Sequence, residues 1–133
     1  MTQSLYAVLP IVAALLFIGA GLTLAARINT GRSGTWQVPA ALAGLFTAWS
    51  LYTVAAEGPF GFWPNHMSNA WGNQMWFDLL LAIGTAWALL LPRARAAGMR
   101  LLPWLILIVC TGSIGLLAML ARCLFLESHQ SQA

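Results

Sequence analysis

Residues 5–26 read LYAVLPIVAALLFIGAGLTLAA, without one charged group. As a helix rising 1.5 Å per residue this stretch is about 33 Å long, enough to cross the hydrocarbon of a bilayer. A cleaved export signal would carry basic residues ahead of its apolar run. None occurs before Arg27, whereas Arg27 and Arg32 follow the run. The charges therefore predict a retained anchor whose N-terminus lies outside. Three further apolar stretches follow, and with the first they place membrane helices at about 5–26, 38–57, 73–91 and 101–124. Pro39 suits a first helical turn, where its missing N–H costs nothing. Glu57 with Gly58-Pro59 ends the second stretch, Pro92 ends the third, and Pro103 opens the fourth. Lipid cannot satisfy an open sheet edge, so spans of this kind are helical. The expected fold is all-α, a single-domain four-transmembrane-helix bundle.

Composition points the same way. The chain is 60% hydrophobic and 7% charged over 133 residues, and so few charges cannot cover a soluble domain of this size. The net charge of +3 comes from six arginines and no lysine; spread thinly along the chain, they orient a membrane protein and form no nucleic-acid footprint. Arg27 and Arg32 fall in the first connection, and Arg93, Arg95 and Arg100 in the third. With four spans those connections share a side, which the positive-inside bias makes cytoplasmic. Both termini are then extracytoplasmic. Only Arg122 departs from the pattern, and the nearby Glu127 is its natural partner at the outer surface. Arginine as the sole strong base, in an Ala- and Leu-rich chain, points to a GC-rich bacterial genome and hence to the bacterial inner membrane. Cys110 and Cys123 would lie roughly 20 Å apart on one helix, too far for a disulfide.

Small residues recur at helical spacing: Ala40, Gly44 and Ala48 in the second span, Gly84 and Ala88 in the third, Gly112 and Gly115 in the fourth. Such residues let helix backbones approach closely in lipid. They imply a compact bundle, a homodimer or membership of a larger membrane complex.

Polar character concentrates between residues 57 and 78. Glu57 closes the second span, and Asp78 sits inside the third, so two carboxylates could face each other near the outer interface. A charged group deep in a membrane helix costs about 2.5–3.5 kcal/mol, which makes Asp78 the most pointed residue of the chain. It is a proton donor or acceptor if its helix begins near Ser68 or Asn69. If the helix begins at Asn73, Asp78 is simply an acid stabilised by first-turn N–H groups. His66 could extend a proton relay; no spacing of ligands supports a metal, and no cofactor motif occurs. Trp63, Trp71, Trp76 and Phe77 form an interfacial belt or wall an apolar pocket. Asn69 and Asn73, four residues apart on the same face as Phe77, favour the pocket. His66, Asn69, Asn73, Trp63, Trp71, Trp76 and Phe77 are accordingly the candidate ligand-binding residues. No phosphate loop, Cys-x-x-Cys, haem histidine pair or Ser-His-Asp pattern is present.

The stretches NQMWFDLLLA (73–82), PRAR (92–95), GMR (98–100) and TGSIGLL (111–117) resemble a group of small bacterial membrane proteins whose fungal relatives in secondary-metabolite clusters are labelled terpene cyclases. The resemblance covers residues 69–126. It implies a membrane helix bundle acting on an isoprenoid-type apolar substrate, with an aspartate carried over onto Asp78.

Three functions follow from these features. The first is an accessory or binding bundle with a polar, aromatic extracytoplasmic mouth, associated with membrane lipids and a larger complex. The second is an enzyme for an apolar isoprenoid, with Asp78 as general acid and Glu57 as its partner. The third is a small proton-coupled transporter. Against transport, both acids lie toward one face and not midway, where alternating access places a site.

Overall fold

In the computed structural model residues 3–28 and 36–130 are described, with side chains over 6–23 and 36–130. Six helices follow one another: α1 (Gln3–Ile28), α2 (Gln37–Glu57), α3 (Phe62–Met67), α4 (Ala70–Ala96), α5 (Leu101–Thr111) and α6 (Ser113–Gln130). No strand occurs among the described residues. Stretches within α1 (Tyr6–Thr23), α2 and α4 are each long and apolar enough to cross a bilayer, and α5 is a shorter apolar helix. The chain is a helical membrane protein. It divides into two compact units, the first containing α1 and the second α2 to α6. The arginines of the first connection, Arg27 and Arg32, lie outside the described side chains.

Within the second unit both ends of α2 and the start of α5 match the apolar pattern closely, whereas both ends of α4 and the end of the fourth span do not. α2 starts with Pro39 in its first turn and stops at Gly58, whose φ of +83° only glycine adopts easily. α4 is longer than the expected 73–91. It begins at Ala70, because the Asn69 side chain accepts a 2.9 Å hydrogen bond from the Gly72 N–H and caps the helix. It also runs through Pro92, an interior proline that removes one backbone bond. The last turn survives because Ala94 is completely buried against the other helices. Gly98, at φ +72°, then ends α4: its N–H bonds the Arg95 carbonyl at 3.0 Å, and the Met99 N–H bonds that of Ala94 at 2.9 Å. That pair of bonds is a Schellman stop.

The expected fourth helix, 101–124, is instead a hairpin. Gly112 adopts φ +61° and ψ −124°, which ends α5 after eleven residues. A Cβ placed on Gly115 would lie 2.8 Å from the Ile108 nitrogen. In a continuous helix residues seven apart are separated by about 10.5 Å, so the chain reverses at Gly112 and lays α6 directly on α5. Gly115 is the residue that permits this approach, and the smallness noted in the sequence serves α5 against α6. A Cβ on Gly112 would lie 3.6 Å from the Ile83 Cδ1 of α4. Farther along, Arg93 of α4 grips Glu127 of α6. α6 therefore runs parallel to α4, beginning beside Ile83 and ending beside Arg93.

α6 is the hub. Leu90, Ala94, Ala97, Ile108, Met119 and Cys123 make one buried cluster from α4, the α4–α5 turn, α5 and α6. α2 packs along α6 in the opposite direction, with Trp36 at its start meeting Phe125 edge-on at 5.5 Å and with Pro39 and Ala43 buried. No Cα of α2 comes within 8 Å of a Cα of α4. The packing face of α2 is thus Pro39, Ala43 and half-buried Thr47, while Gly44 and Ala48 of the expected ladder are exposed. Gly44 and Gly84 both look onto open space.

The Arg93–Glu127 pair is bidentate, Nε to Oε1 at 3.0 Å and Nη2 to Oε2 at 2.6 Å. Its side chains are 48% and 35% exposed, so in an aqueous interface it contributes only about 0.2–1 kcal/mol. Packing of Met119, Cys123 and Ala94 holds the hairpin; the ion pair sets its register. The Arg93 hydrogen bond holds the Glu127 carboxyl below its ordinary pKa of 4.5, outweighing partial burial. A depressed folded-state pKa adds stability that is fully present above the ordinary value and is lost as pH falls through the depressed one. Acid titration in detergent should therefore loosen the α4–α6 contact below about pH 4.5, and Glu127→Gln should abolish that dependence. With Cys110 and Cys123 replaced by serine, Arg93→Cys with Glu127→Cys should be bridged within one chain by a short bis-maleimide. A continuous fourth helix would hold these positions on the order of 40 Å apart and prevent it.

Candidate outer-face site

α3 and the start of α4 form a tight corner at one end of the second unit. Gly72 sits so close to the preceding helix that a Cβ there would collide with the Asn65 carbonyl oxygen. The corner is closed by polar groups the sequence had singled out. Asn69 caps α4, and Asn73 donates from Nδ2 to the His66 carbonyl at 2.9 Å. The His66 Nδ1 lies 3.3 Å from the Gly72 carbonyl oxygen. Ser68 adds a hydrogen bond from its hydroxyl to the Asn65 carbonyl at 3.0 Å. Each of these groups satisfies backbone that would otherwise be orphaned near lipid.

Aromatic rings complete the corner. Trp76 stacks on Phe62 at 6.2 Å, meets Trp63 edge-on at 6.3 Å and lies 4.9 Å from the His66 ring. Four rings thus pack on one another, at the offset and edge distances aromatic pairs favour. The expected binding residues His66, Asn69, Asn73, Trp63 and Trp76 are brought together in one corner of hydrogen bonds and packed rings. Trp71 and Phe77 stay out of it, 77% and 54% exposed.

The two acids part company. Glu57 lines an open groove of about 270 Å³ between the C-terminal end of α2 and the start of α3, with Trp49, Ser50, Thr53 and Phe62. Thr53 already donates to the Trp49 carbonyl at 3.0 Å, and Tyr52 lies 5.5 Å from the Trp49 ring. Trp49, Thr53 and Glu57 recur every four residues on one helical face, a spacing that is legible in the sequence. Asp78 lies on α4, eight residues past the helix start and exposed, well beyond the N-terminal turn where free N–H groups stabilise an acid. It does not line the Glu57 groove. Among the described residues the one ion pair is Arg93–Glu127, and no cluster of His, Cys, Asp or Glu could hold a metal.

A second groove, about 280 Å³, runs between α4 and α6 and is lined by leucines with Arg93 at its end. Beside it Cys123 is fully buried and donates to Glu127 at 3.5 Å. Glu127 does not pair with Arg122, whose guanidinium instead stands 5.6 Å over the Phe125 ring. Nothing local in the sequence announces this cluster, because it exists only once the chain reverses at Gly112.

Compared with protein families, with curated proteins and with solved structures, the chain matches none.

Asn69→Ala removes the α4 cap and should lower unfolding stability in detergent by about 1 kcal/mol. Gly72→Ala should do more harm, because backbone stands where the methyl group must go. It should also change Trp76 fluorescence, as the ring loses His66 and Phe62, while Trp71→Ala should leave stability within about 0.5 kcal/mol of the parent.

Proposed function

We propose that this protein is a small accessory bundle that binds another membrane component through the outer parts of its helices. One observation carries the reading. α2 and α4 both pack on α6 with no Cα of one within 8 Å of a Cα of the other, and Asp78 does not line the groove that holds Glu57. The enzyme reading, with Asp78 as acid and Glu57 as its partner, requires both groups within reach of the same reacting atoms. The polar mouth, meanwhile, is spent on its own corner, and both grooves are open surface features. What is left at the outer end is exposed helix carrying large side chains, which suits contact more than chemistry.

The orientation that accompanies this reading keeps the N-terminus outside and the arginine end in the cytosol of a bacterial inner membrane. Its support is the hairpin. Because α6 ends beside Arg93, Arg122 falls at the same end as Arg93, Arg95 and Arg100, and the exception in the charge pattern disappears. The proposed layout is three full spans plus a hairpin entering from the cytosol, with the C-terminus cytoplasmic and not outside as the four-span reading required. Counting back ten residues from Arg93 to Ile83 gives about 15 Å, so the Gly112 turn reaches roughly mid-bilayer.

Two measurements test this. A membrane-impermeant reagent applied to intact cells should label a tag before residue 3 and miss one after residue 133; equal labelling of both ends overturns the layout. A photo-crosslinking residue at Thr85, on the exposed side of α4, should give one discrete protein adduct in native membranes, and the same residue at buried Leu90 should give none. No adduct at Thr85, together with turnover of an isoprenoid by the purified protein that Asp78→Asn abolishes, would establish the enzyme instead.

A further inference from the structure

The proposed binding role raises the question of what kind of partner the surface accepts, and Asp78 answers it. α4 is 27 residues long, about 40 Å. If Arg93 marks the cytosolic edge of the hydrocarbon, about 30 Å of helix, or twenty residues, reaches Asn73. The side chains agree, since Asn69, Asn73 and Gln74 stand at or beyond that outer edge. Asp78 lies five residues deeper, about 8 Å inside it.

A carboxylate at that depth is costly unless it meets a cation or keeps its proton. No such cation meets it among the described residues. Among the described residues the bonds and ion pairs include none to Asp78. Arg93, Arg95, Arg100 and Arg122 all lie toward the opposite end, with Arg93 about 22 Å away along α4. His66 is tied into the corner by Gly72 and Trp76. In the sequence, α1 holds no charged residue ahead of Arg27. A second copy in the same orientation fares no better, because it sets Asp78 against Asp78 and keeps its arginines at the far end.

The surroundings of Asp78 suit a helix. On a 3.6-residue period Asp78 shares its face with Ala82, Thr85 and Leu89, flanked by Ala88. All of these are exposed, whereas the opposite face, with Leu90 and Ala94, is buried on α6. A carboxylate above the small side chains of Ala82 and Thr85 lets another helix approach closely with a base opposite the acid.

We propose that Asp78 and the Ala82–Thr85–Leu89 face of α4 bind a transmembrane helix of another protein that carries a lysine or arginine in its outer third. This rests on the accessory reading and specifies its partner. The attraction is a charge-assisted hydrogen bond in a medium of low dielectric, and the small face supplies van der Waals contact.

The test uses the full-length protein, labelled for energy transfer, in phosphatidylcholine vesicles, which carry no net charge to compete. The probe is a synthetic Leu/Ala transmembrane peptide with one arginine in its outer third, and its control has leucine there. Association with the arginine peptide should be about tenfold tighter or more, equivalent to 1.4 kcal/mol. Asp78→Asn should erase the difference, and Thr85→Trp, which keeps the acid but obstructs the face, should weaken it. Asp78→Arg should transfer the preference to a peptide bearing aspartate, which separates charge pairing from a general loss of fold. Equal binding of both peptides, a preference that survives Asp78→Asn, or self-association that depends on Asp78 would each overturn the proposal. If Thr85 still yields its adduct in native membranes when the peptides show no preference, the accessory function stands and only the basic-helix partner is lost.

Discussion

The close backbone contact between Gly115 and Ile108 governs the architecture of the second unit. Inside a membrane the hydrophobic effect no longer drives one helix against another, since lipid tails are as apolar as leucine. Helices associate there only where surfaces fit closely enough to gain dispersion energy. At Gly115 a side chain of any size would intrude on the Ile108 backbone, so glycine is what allows α6 to lie on α5. Gly112 supplies the reversal, with a φ of +61° and a ψ far from helical values. With both in place, Met119 and Cys123 become fully buried against α4 and α5, and α6 becomes the surface on which α2 and α4 assemble.

From that hairpin the distribution of charge follows. A straight fourth span would carry Arg122 and Glu127 to the outer face, away from every other arginine. The reversal returns them to the end where α4 finishes, so that Glu127 takes Arg93 in a two-pronged grip and Arg122 rests over Phe125. The ion pair is too exposed to hold the hairpin by itself, yet its bidentate geometry admits a single register of α6 along α4. Specificity and stability are here supplied by different groups: the carboxylate–guanidinium fork aligns, and the buried alanines, methionine and cysteine bind.

Much of this was legible in the residues. Length and hydropathy located the apolar helices, because a 20-residue uncharged run has few other states. Pro39 and Gly58 marked the ends of α2, since each leaves its mark on the backbone of the residue itself. Pro92 misled: a proline weakens a helix locally, but Ala94 packing two residues on outweighs that loss. The hairpin was hidden for a related reason. TGSIGLL (111–117) fits a continuous apolar helix as well as a turn, and only the contact of α5 with α6 decides between them. At the candidate site, the clustering of His66, Asn69, Asn73, Trp63 and Trp76 could be read from their proximity in the chain. Their use could not: whether an asparagine binds a ligand or caps a helix depends on where α4 begins, and it begins at Ala70.

That start also decides the meaning of Asp78. Had α4 begun at Asn73, the acid would sit in the first turns, where unpaired N–H groups and the helix dipole stabilise a negative charge. Beginning at Ala70 moves Asp78 beyond two turns of fully bonded backbone, and nothing in its own helix compensates it. His66 is held in its own corner, with Nδ1 3.3 Å from the Gly72 carbonyl oxygen and its ring against Trp76. The arginines that could have paired with it are gathered at the other end by the same hairpin that gives the unit its core. Folding thus satisfies the polar groups at both ends of the second unit and leaves Asp78, on an exposed face with Ala82 and Thr85, with no counter-charge among the described residues.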